Sequence, residues 1–138
     1  MPSHGRTSKR RLDGCSDPVK RVMTEVVKTF DNSILTGIRD KEEQEAAFNS
    51  VPQASKKHWP DSVHNVEEPG DLSDAVDAAP YPIDWEDRER FHYFAGYVLA
   101  TARAMGYVFR WGGDWDRDTE VNDNEFDDLV HFEYVGNV

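Results

Sequence analysis

The segment from about Trp85 to Met105 constrains the fold more than any other part of the chain. Its apolar side chains recur at helical spacing and would share one face of a long helix: Phe91, Phe94, Ala95, Val98, Leu99, Ala102 and Met105. Gly106 follows directly and is a typical end of a helix, and residues 107–111 then have the composition of a strand. A long helix with one apolar face needs a core to cover that face.

Shorter patterns predict the remaining elements. Asp17 is a suitable N-cap before Pro18, and Asp40 with Glu43 resembles the capping box that opens a helix. Together the patterns predict helices near residues 18–30, 41–48 and 86–105, and strands near residues 34–38, 75–79, 107–111 and 130–135. Because helices and strands follow one another without regular alternation, the predicted fold class is α+β rather than a doubly wound sheet.

The length of 138 residues suits one domain with a single hydrophobic core. Residues 1–14 are rich in Ser, Gly and Arg without apolar periodicity, so we expect a flexible basic arm there and a single domain over residues 15–138. Several prolines and a glycine predict a long loop over residues 50–74. Long loops in compact domains are often functional.

Charge and cysteine content exclude several classes of protein. The net charge of −11 argues against a nucleic-acid binder, because phosphate contacts need a basic face. Cys15 is the only cysteine, which excludes an internal disulfide and every multi-cysteine zinc site. Any metal ion must therefore be held by His, Asp or Glu.

Hydropathy bears on where the chain acts. No apolar stretch approaches the roughly 20 residues that a membrane-spanning helix needs, and the leading segment lacks the apolar core of a secretory signal. We therefore expect a product that is made in the cytoplasm without an integral membrane segment. If it acts outside the membrane, another agent must release it.

Three possible metal ligands lie on separate predicted elements. Asp77 is in one predicted strand, His131 is in the last strand, and His64 is in the long loop. A catalytic zinc ion usually has three protein ligands and keeps one position for water. If the two strands are neighbours in one sheet, the three side chains can reach a common point. Taken alone, His131 could equally belong to a surface strand instead of a metal site. Asp77 alone could equally cap a turn or form an ion pair with Arg39.

Four motifs follow one another along the chain. They are Ser62-Val63-His64-Asn65; Ser73-Asp74-Ala75-Val76-Asp77 with Ala79-Pro80-Tyr81-Pro82; Trp111-Gly112-Gly113-Asp114-Trp115; and Asp128-Leu129-Val130-His131-Phe132-Glu133. In this order they resemble the zinc peptidoglycan peptidases, the family of D-alanyl-D-alanine peptidases and L-alanyl-D-glutamate endopeptidases, in its phage endolysin branch. The resemblance extends upstream to Gly37-Ile38-Arg39-Asp40-Lys41-Glu42-Glu43-Gln44 and covers roughly residues 17–135.

The resemblance implies a fold and a set of roles. The fold would be a compact α+β domain whose small antiparallel sheet carries one zinc ion and is flanked by helices, as in the Hedgehog and D-alanyl-D-alanine peptidase group. His64, Asp77 and His131 would be the zinc ligands, Asp128 the catalytic base, and Arg39 the arginine that steadies the substrate carbonyl. Residues three apart on a strand face opposite ways, so we expect Asp128 to lie outside regular pairing.

One ligand has an alternative. The family pattern places its first histidine close to the aspartate, whereas here the insertion Val66 to Leu72 separates His64 from Asp77. His58 is therefore the alternative first ligand. The preceding Trp59-Pro60-Asp61-Ser62 favours His64.

Four residues are predicted to contact the substrate: Ser62, Trp111, Gly113 and Trp115. The Gly112-Gly113 pair between the two tryptophans suggests a close approach of the backbone to a peptide. Packing in the core is an equally good interpretation of the tryptophans.

The acidic loop offers a second metal site. The possible calcium ligands are Asp114, Asp116, Asp118, Glu120, Asn122 and Glu125, at positions 1, 3, 5, 7, 9 and 12 of a calcium loop. Thr119 stands at position 6, where glycine is required, and no flanking pair of helices is evident. A solvated acidic loop is the alternative interpretation.

The resemblance predicts a function. We expect a zinc metallopeptidase, acting as a monomer, that cleaves the stem peptide of bacterial peptidoglycan between L-alanine and D-glutamate, as a phage endolysin does. The alternatives are a D-alanyl-D-alanine carboxypeptidase or dipeptidase with the same zinc chemistry, a non-catalytic protein that binds zinc or cell wall, and an acidic interaction protein without zinc.

Overall fold

The computed structural model describes residues 1–51, 53–66, 70–122, 124 and 127–138. Within these residues the elements are α1 (Arg6–Asp13), α2 (Asp17–Val27), β1 (Asn32–Thr36), α3 (Lys41–Asn49), β2 (Ala75–Pro80), α4 (Arg88–Ala104), β3 (Tyr107–Gly112) and β4 (Asp128–Asn137). The four strands form one antiparallel sheet in the order β1-β2-β4-β3. The predicted α+β class is confirmed.

The local signals act as the sequence indicates at α3, whereas the N-cap of α2 is Ser16 and the predicted cap, Asp17, is the first helical residue. The capping box of α3 is formed, because the Asp40 side chain accepts from the Glu43 backbone N–H at 2.8 Å and the Glu43 side chain accepts from the Asp40 N–H at 3.2 Å. Pro18 lies in the first turn of α2. The described part of residues 50–74 forms no helix or strand. None of the described helices is long and apolar enough to cross a membrane.

Helix α1 differs from the prediction, because residues 6–13 were expected to belong to a flexible arm. The helix lies against the edge strand β1, where the Ser8 hydroxyl accepts from the Ile34 N–H and the Arg11 guanidinium donates to the Ile34 carbonyl, both at 3.0 Å. These bonds satisfy backbone groups that an edge strand otherwise leaves unpaired. Leu12 is the one buried side chain of α1, so the sequence has no apolar periodicity to reveal the helix.

The hydrophobic core lies between the sheet and helices α2 and α4. Helix α2 contributes Val19, Val22, Met23 and Val26, and α4 contributes Phe94, Ala95, Val98 and Ala102, all of them fully buried. Phe132 of β4 packs edge-on against Phe94, with ring centroids 5.9 Å apart. The long apolar face that the sequence predicts is therefore the layer that covers one side of the sheet.

The register of β2 on β4 divides the side chains between two faces. Val76 pairs with Phe132, and Asp77 pairs with His131. Because successive residues of a strand point to opposite faces, Val76 and Phe132 share the core face while Asp77 and His131 share the other. The sheet thus separates its apolar packing from a cluster of polar side chains.

Candidate active site

The predicted metal ligands His64, Asp77 and His131 converge on the polar face of the sheet, and all three are buried. The β2–β4 register brings Asp77 and His131 together. His64 arrives from the long loop, and the loop is tied to the sheet region by a bond from the Arg39 N–H to the His64 carbonyl at 2.9 Å. The structure therefore unites the residues that the sequence places on three separate elements.

Three atoms of this cluster form a nearly equilateral triangle. His64 Nε2 lies 3.1 Å from His131 Nδ1 and 3.2 Å from Asp77 Oδ1, and His131 Nδ1 lies 3.3 Å from Asp77 Oδ1. Tetrahedral zinc with ligand bonds of about 2.0 Å places neighbouring ligand atoms about 3.3 Å apart. The triangle has the size of one face of such a tetrahedron, so the residues fit a zinc ion.

Hydrogen bonds on the far side of each imidazole fix which nitrogen faces the centre. His64 Nδ1 donates to the Gly37 carbonyl at 2.7 Å, because a carbonyl oxygen can only accept. His131 Nε2 donates to Glu133 Oε1 at 3.1 Å. Each ring thus points its other nitrogen at Asp77, where that nitrogen would bind a metal ion in its deprotonated form, the arrangement in which outer partners orient metal-binding histidines.

The carboxylates of the cluster are held in their ionised form. Burial would raise the pKa of Asp77, but the charges and hydrogen bonds of His64 and His131 hold it well below its usual range. Burial opposes ionisation of Glu133 as well, yet its hydrogen bonds to His131 and Arg110 lower its pKa to about 2. Two ionised carboxylates beside two buried imidazoles make a site that attracts a cation.

His58, the alternative first ligand, lies elsewhere. Its Nδ1 is 2.9 Å from a carboxylate oxygen of Glu45, and its ring rests against Phe48 with centroids 3.7 Å apart. The side chain is 55% exposed, whereas that of His64 is 2% exposed. The structure brings His64, and not His58, to Asp77 and His131.

Arg39 contacts the same aspartate from the other side. Its Nη2 donates to Asp77 Oδ2 at 3.2 Å, while Oδ1 of that carboxylate faces the histidines. The ion pair with Arg39 and the ligand role of Asp77 are therefore compatible, although the sequence presents them as alternatives. Arg39 Nη1 also donates to Gln44 Oε1 at 3.4 Å.

Gln44 is a buried residue beside the site to which the sequence reasoning gave no role. It is fully buried, and its amide nitrogen donates to Ser55 Oγ at 2.7 Å and to the Lys57 carbonyl at 2.6 Å. Its oxygen accepts from Arg39 and, at 3.2 Å, from Asn65. One amide thus fixes the arginine relative to the loop after α3. Its place at the end of the Gly37–Gln44 motif is the signal that pointed to it.

Asp128 is the first residue of β4, where the pairing with β3 is irregular. Trp111 pairs with Phe132, but the next residue, Gly112, pairs with Asp128, so β4 carries extra residues between these two pairs. The expected departure from regular pairing is present, inside the strand rather than in the loop before it. A Cβ atom on Gly112 would lie 2.1 Å from the Asp128 carbonyl oxygen, so glycine is required at this contact.

A cleft of about 300 Å³ opens beside the metal ligands. Asp128, Arg39, Ser62 and Trp115 line it together with His64 and His131. The Trp115 ring lies tilted against His131, with centroids 5.2 Å apart. The cleft therefore joins the predicted base, the predicted arginine and two of the four predicted substrate contacts.

Trp111 and Gly113, the other two predicted substrate contacts, do not line this cleft. Trp111 is 4% exposed, belongs to the hydrophobic core and donates from Nε1 to the Leu129 carbonyl at 2.8 Å. A Cβ atom on Gly113 would lie 2.3 Å from the Trp111 ring. The structure therefore fits the alternative interpretation of Trp111, packing in the core with Gly113 making room for the indole, and substrate contact by these two residues stays a prediction.

The acidic loop brings together three of its predicted calcium ligands. Carboxylate oxygens of Asp114, Asp116 and Asp118 lie within 4.8 Å of one another, and Glu120 is not part of that group. Backbone N–H groups of residues 118, 119 and 120 already donate to these carboxylates. Thr119 adopts a positive φ of 73°, at the position where calcium loops carry glycine. Glu125 lies outside the described residues, and calcium binding stays a prediction.

Comparisons with known proteins bear on the family to which the chain belongs. The model of the phage L-alanyl-D-glutamate peptidase family matches residues 3–135. No curated protein matches the chain. Among solved structures, the L-Ala D-Glu endopeptidase ChiX of Serratia marcescens is 20% identical, with a TM-score of 0.69 over 98% of this chain and 92% of that chain. At this identity the likeness supports the fold. Because the family model spans nearly the whole sequence, the chain belongs to the family of phage L-alanyl-D-glutamate peptidases.

Proposed function

We propose that this peptidase is a zinc enzyme that hydrolyses the bond between L-alanine and D-glutamate in the stem peptide of peptidoglycan. The observation that carries the proposal is the triangle of His64 Nε2, Asp77 Oδ1 and His131 Nδ1, with separations of 3.1 to 3.3 Å. Family membership supplies the bond that is cut. Action as a monomer and release to the wall through a membrane lesion stay predictions.

The zinc ion would be held by these three side chains, and its chemistry is to lower the pKa of bound water toward about 7 and to polarise the substrate carbonyl. Asp128 is the group positioned to take the proton from the attacking water and to deliver it to the leaving amine of D-glutamate. A carboxylate in this role must lie in the cleft beside the ligands, and Asp128 lines that cleft.

Arg39 is suited to the developing charge on the carbonyl oxygen. Its guanidinium is fixed by Asp77 and Gln44, so its remaining donors are oriented before the substrate arrives. Preorganised donors stabilise an oxyanion without a reorganisation cost during the reaction. Trp115 and Ser62 line the cleft and would contact the peptide there.

The bond that is cut tests the proposal directly. Digestion of purified peptidoglycan by the zinc-loaded protein is expected to release new amino termini on D-glutamate, identified by mass spectrometry of the labelled products. Free D-alanine as the main product would instead indicate the D-alanyl-D-alanine carboxypeptidase. Zinc binding without either product would indicate a non-catalytic wall or zinc protein, and the absence of stoichiometric zinc would contradict the metal site itself.

The pH dependence of the reaction follows from the setting of Asp128. Burial and the nearby charge of Asp77 raise the pKa of Asp128 to about 6. A base acts only when deprotonated, so activity is present above this pKa and is lost as pH falls through it. We expect kcat/KM to fall about tenfold per pH unit below the pKa of Asp128. A bound cation favours the carboxylate, so in the zinc-loaded enzyme this pKa lies somewhat below 6.

The pH profile needs one control, because acid also protonates the ligand histidines. The profile is measured in excess zinc, and the zinc content of the protein is determined at each pH. An acid limb centred well above pH 6 while zinc remains bound would contradict the role of Asp128.

A further inference from the structure

The walls of the active-site cleft are unusually basic for this chain. Four of its 16 lysine and arginine residues line this one cleft: Arg39, Lys56, Lys57 and Arg110. The chain as a whole has a net charge of −11. Two acidic side chains, Asp128 and Glu133, line the same cleft, so its cationic side chains outnumber its carboxylates and favour an anionic ligand beside the metal ligands.

The two arginines already have partners in the site. Arg39 is bound to Asp77 at 3.2 Å and Arg110 to Glu133 at 3.1 Å. Arg110 nevertheless keeps one donor, because its Nε is buried and has no hydrogen-bond partner among the residues that the structure describes. A buried donor beside a cleft is satisfied when an acceptor enters.

The two lysines are presented by a fixed piece of backbone. The Lys57 carbonyl accepts from buried Gln44 at 2.6 Å, and the Lys57 N–H donates to Ser55 Oγ at 3.2 Å. Gln44 also binds Arg39, so the lysine wall and the catalytic arginine are tied through one amide. The backbone of Lys57 therefore has a set position relative to Arg39, and the lysine side chains extend from there into the cleft lining.

The substrate offers a matching group. A glutamate has two carboxyl groups, and only one of them continues a peptide chain. The other remains as a free carboxylate or is converted to a primary amide. In an L-alanyl-D-glutamyl bond this group belongs to the residue that supplies the leaving amine, so it enters the cleft within one residue of the reacting carbonyl.

We propose that Lys57, together with Lys56 and Arg110, binds the free carboxylate of that glutamate, so that the enzyme prefers stem peptides with an ionised carboxylate over peptides with the amide. This inference rests on the proposed function and names its substrate class. Charge-assisted hydrogen bonds to a carboxylate are about twice as strong as neutral ones, and exposed lysines are partly screened, so we expect a preference of about tenfold or more in kcat/KM.

The experiment uses two synthetic stem peptides that differ only in this group, one with the carboxylate and one with the amide. The ratio of their kcat/KM values is measured for the wild-type zinc enzyme, for the double variant Lys56→Met/Lys57→Met, and for Lys28→Met. Lys28 is the matched control, because it is an exposed lysine that pairs with Glu25 at 3.0 Å outside the cleft. Since each ratio is taken within one protein, the fraction of folded enzyme cancels.

The wild type and Lys28→Met are expected to share the preference, and the double variant is expected to lose it, with a ratio near 1, mainly through slower cleavage of the carboxylate peptide. Lys57→Arg should retain it, because the charge is kept. Equal cleavage of both peptides by the wild type, or an unchanged ratio in the double variant, overturns the inference and leaves the proposed function intact. If the wild type cleaves neither peptide, the proposed function itself fails.

Discussion

The variant Asp128→Asn is expected to keep one zinc ion per chain and to lose about 1,000-fold in kcat, in line with the 100- to 10,000-fold that general acid–base groups contribute. Asparagine has the shape of aspartate but cannot take a proton from water near neutral pH. The extra residues of β4 place Asp128 in the cleft beside the ligands, so its loss removes the proton acceptor without touching His64, Asp77 or His131.

The neighbouring carboxylate supplies the control for this prediction. Asp127 is adjacent in sequence and pairs with Arg88 at 2.9 Å on the surface. Asp127→Asn removes the same charge one residue away and should leave kcat within a few-fold of the wild type. The measurements are kcat on peptidoglycan fragments and the zinc content of each protein. Near wild-type turnover of Asp128→Asn would show that Asp128 is not the base. Loss of zinc from this variant would indicate that Asp128 is a metal ligand instead.

Much of the site is readable from the sequence because two of its ligands lie on strands. Asp77 and His131 each interrupt a short apolar segment, and an antiparallel pair of such strands brings opposed side chains onto one face. Their apolar neighbours Val76 and Phe132 then fall on the core face. The same alternation therefore predicts both the core and the cluster of ligands.

The features that the sequence did not reveal depend on contacts between distant segments. Helix α1 is held by polar bonds to the edge strand and by one buried leucine, which leave no periodic pattern. Trp111 and Gly113 look like a substrate platform in the linear motif. In three dimensions the glycine accommodates the indole ring, and only Trp115 reaches the cleft.

The choice between two loop histidines shows the same limit. His58 and His64 lie six positions apart in a segment without regular structure, where no periodicity predicts which way a side chain points. The outcome depends on partners from other elements. The Gly37 carbonyl orients His64 toward the sheet, whereas Glu45 and Phe48 of α3 hold His58 on the outside.

The pair of variants His64→Ala and His58→Ala is expected to separate these two histidines completely. His64→Ala removes one of three ligands, so its zinc affinity should fall by more than the roughly 100-fold that outer-partner mutations cost, and activity should fall with it. His58→Ala removes an exposed imidazole whose partner is Glu45, and it should keep stoichiometric zinc and wild-type turnover.

Thermal unfolding provides a second readout of the same pair that does not depend on turnover. A ligand that binds only the folded state stabilises it, by about 2.7 kcal/mol at a hundredfold excess over Kd. Zinc should therefore raise the melting temperature of the wild type and of His58→Ala, and leave that of His64→Ala nearly unchanged. Because each protein is compared with its own chelated form, any stability lost with the buried His64 side chain cancels. A zinc-dependent rise in His64→Ala that is absent from His58→Ala would transfer the ligand role to His58.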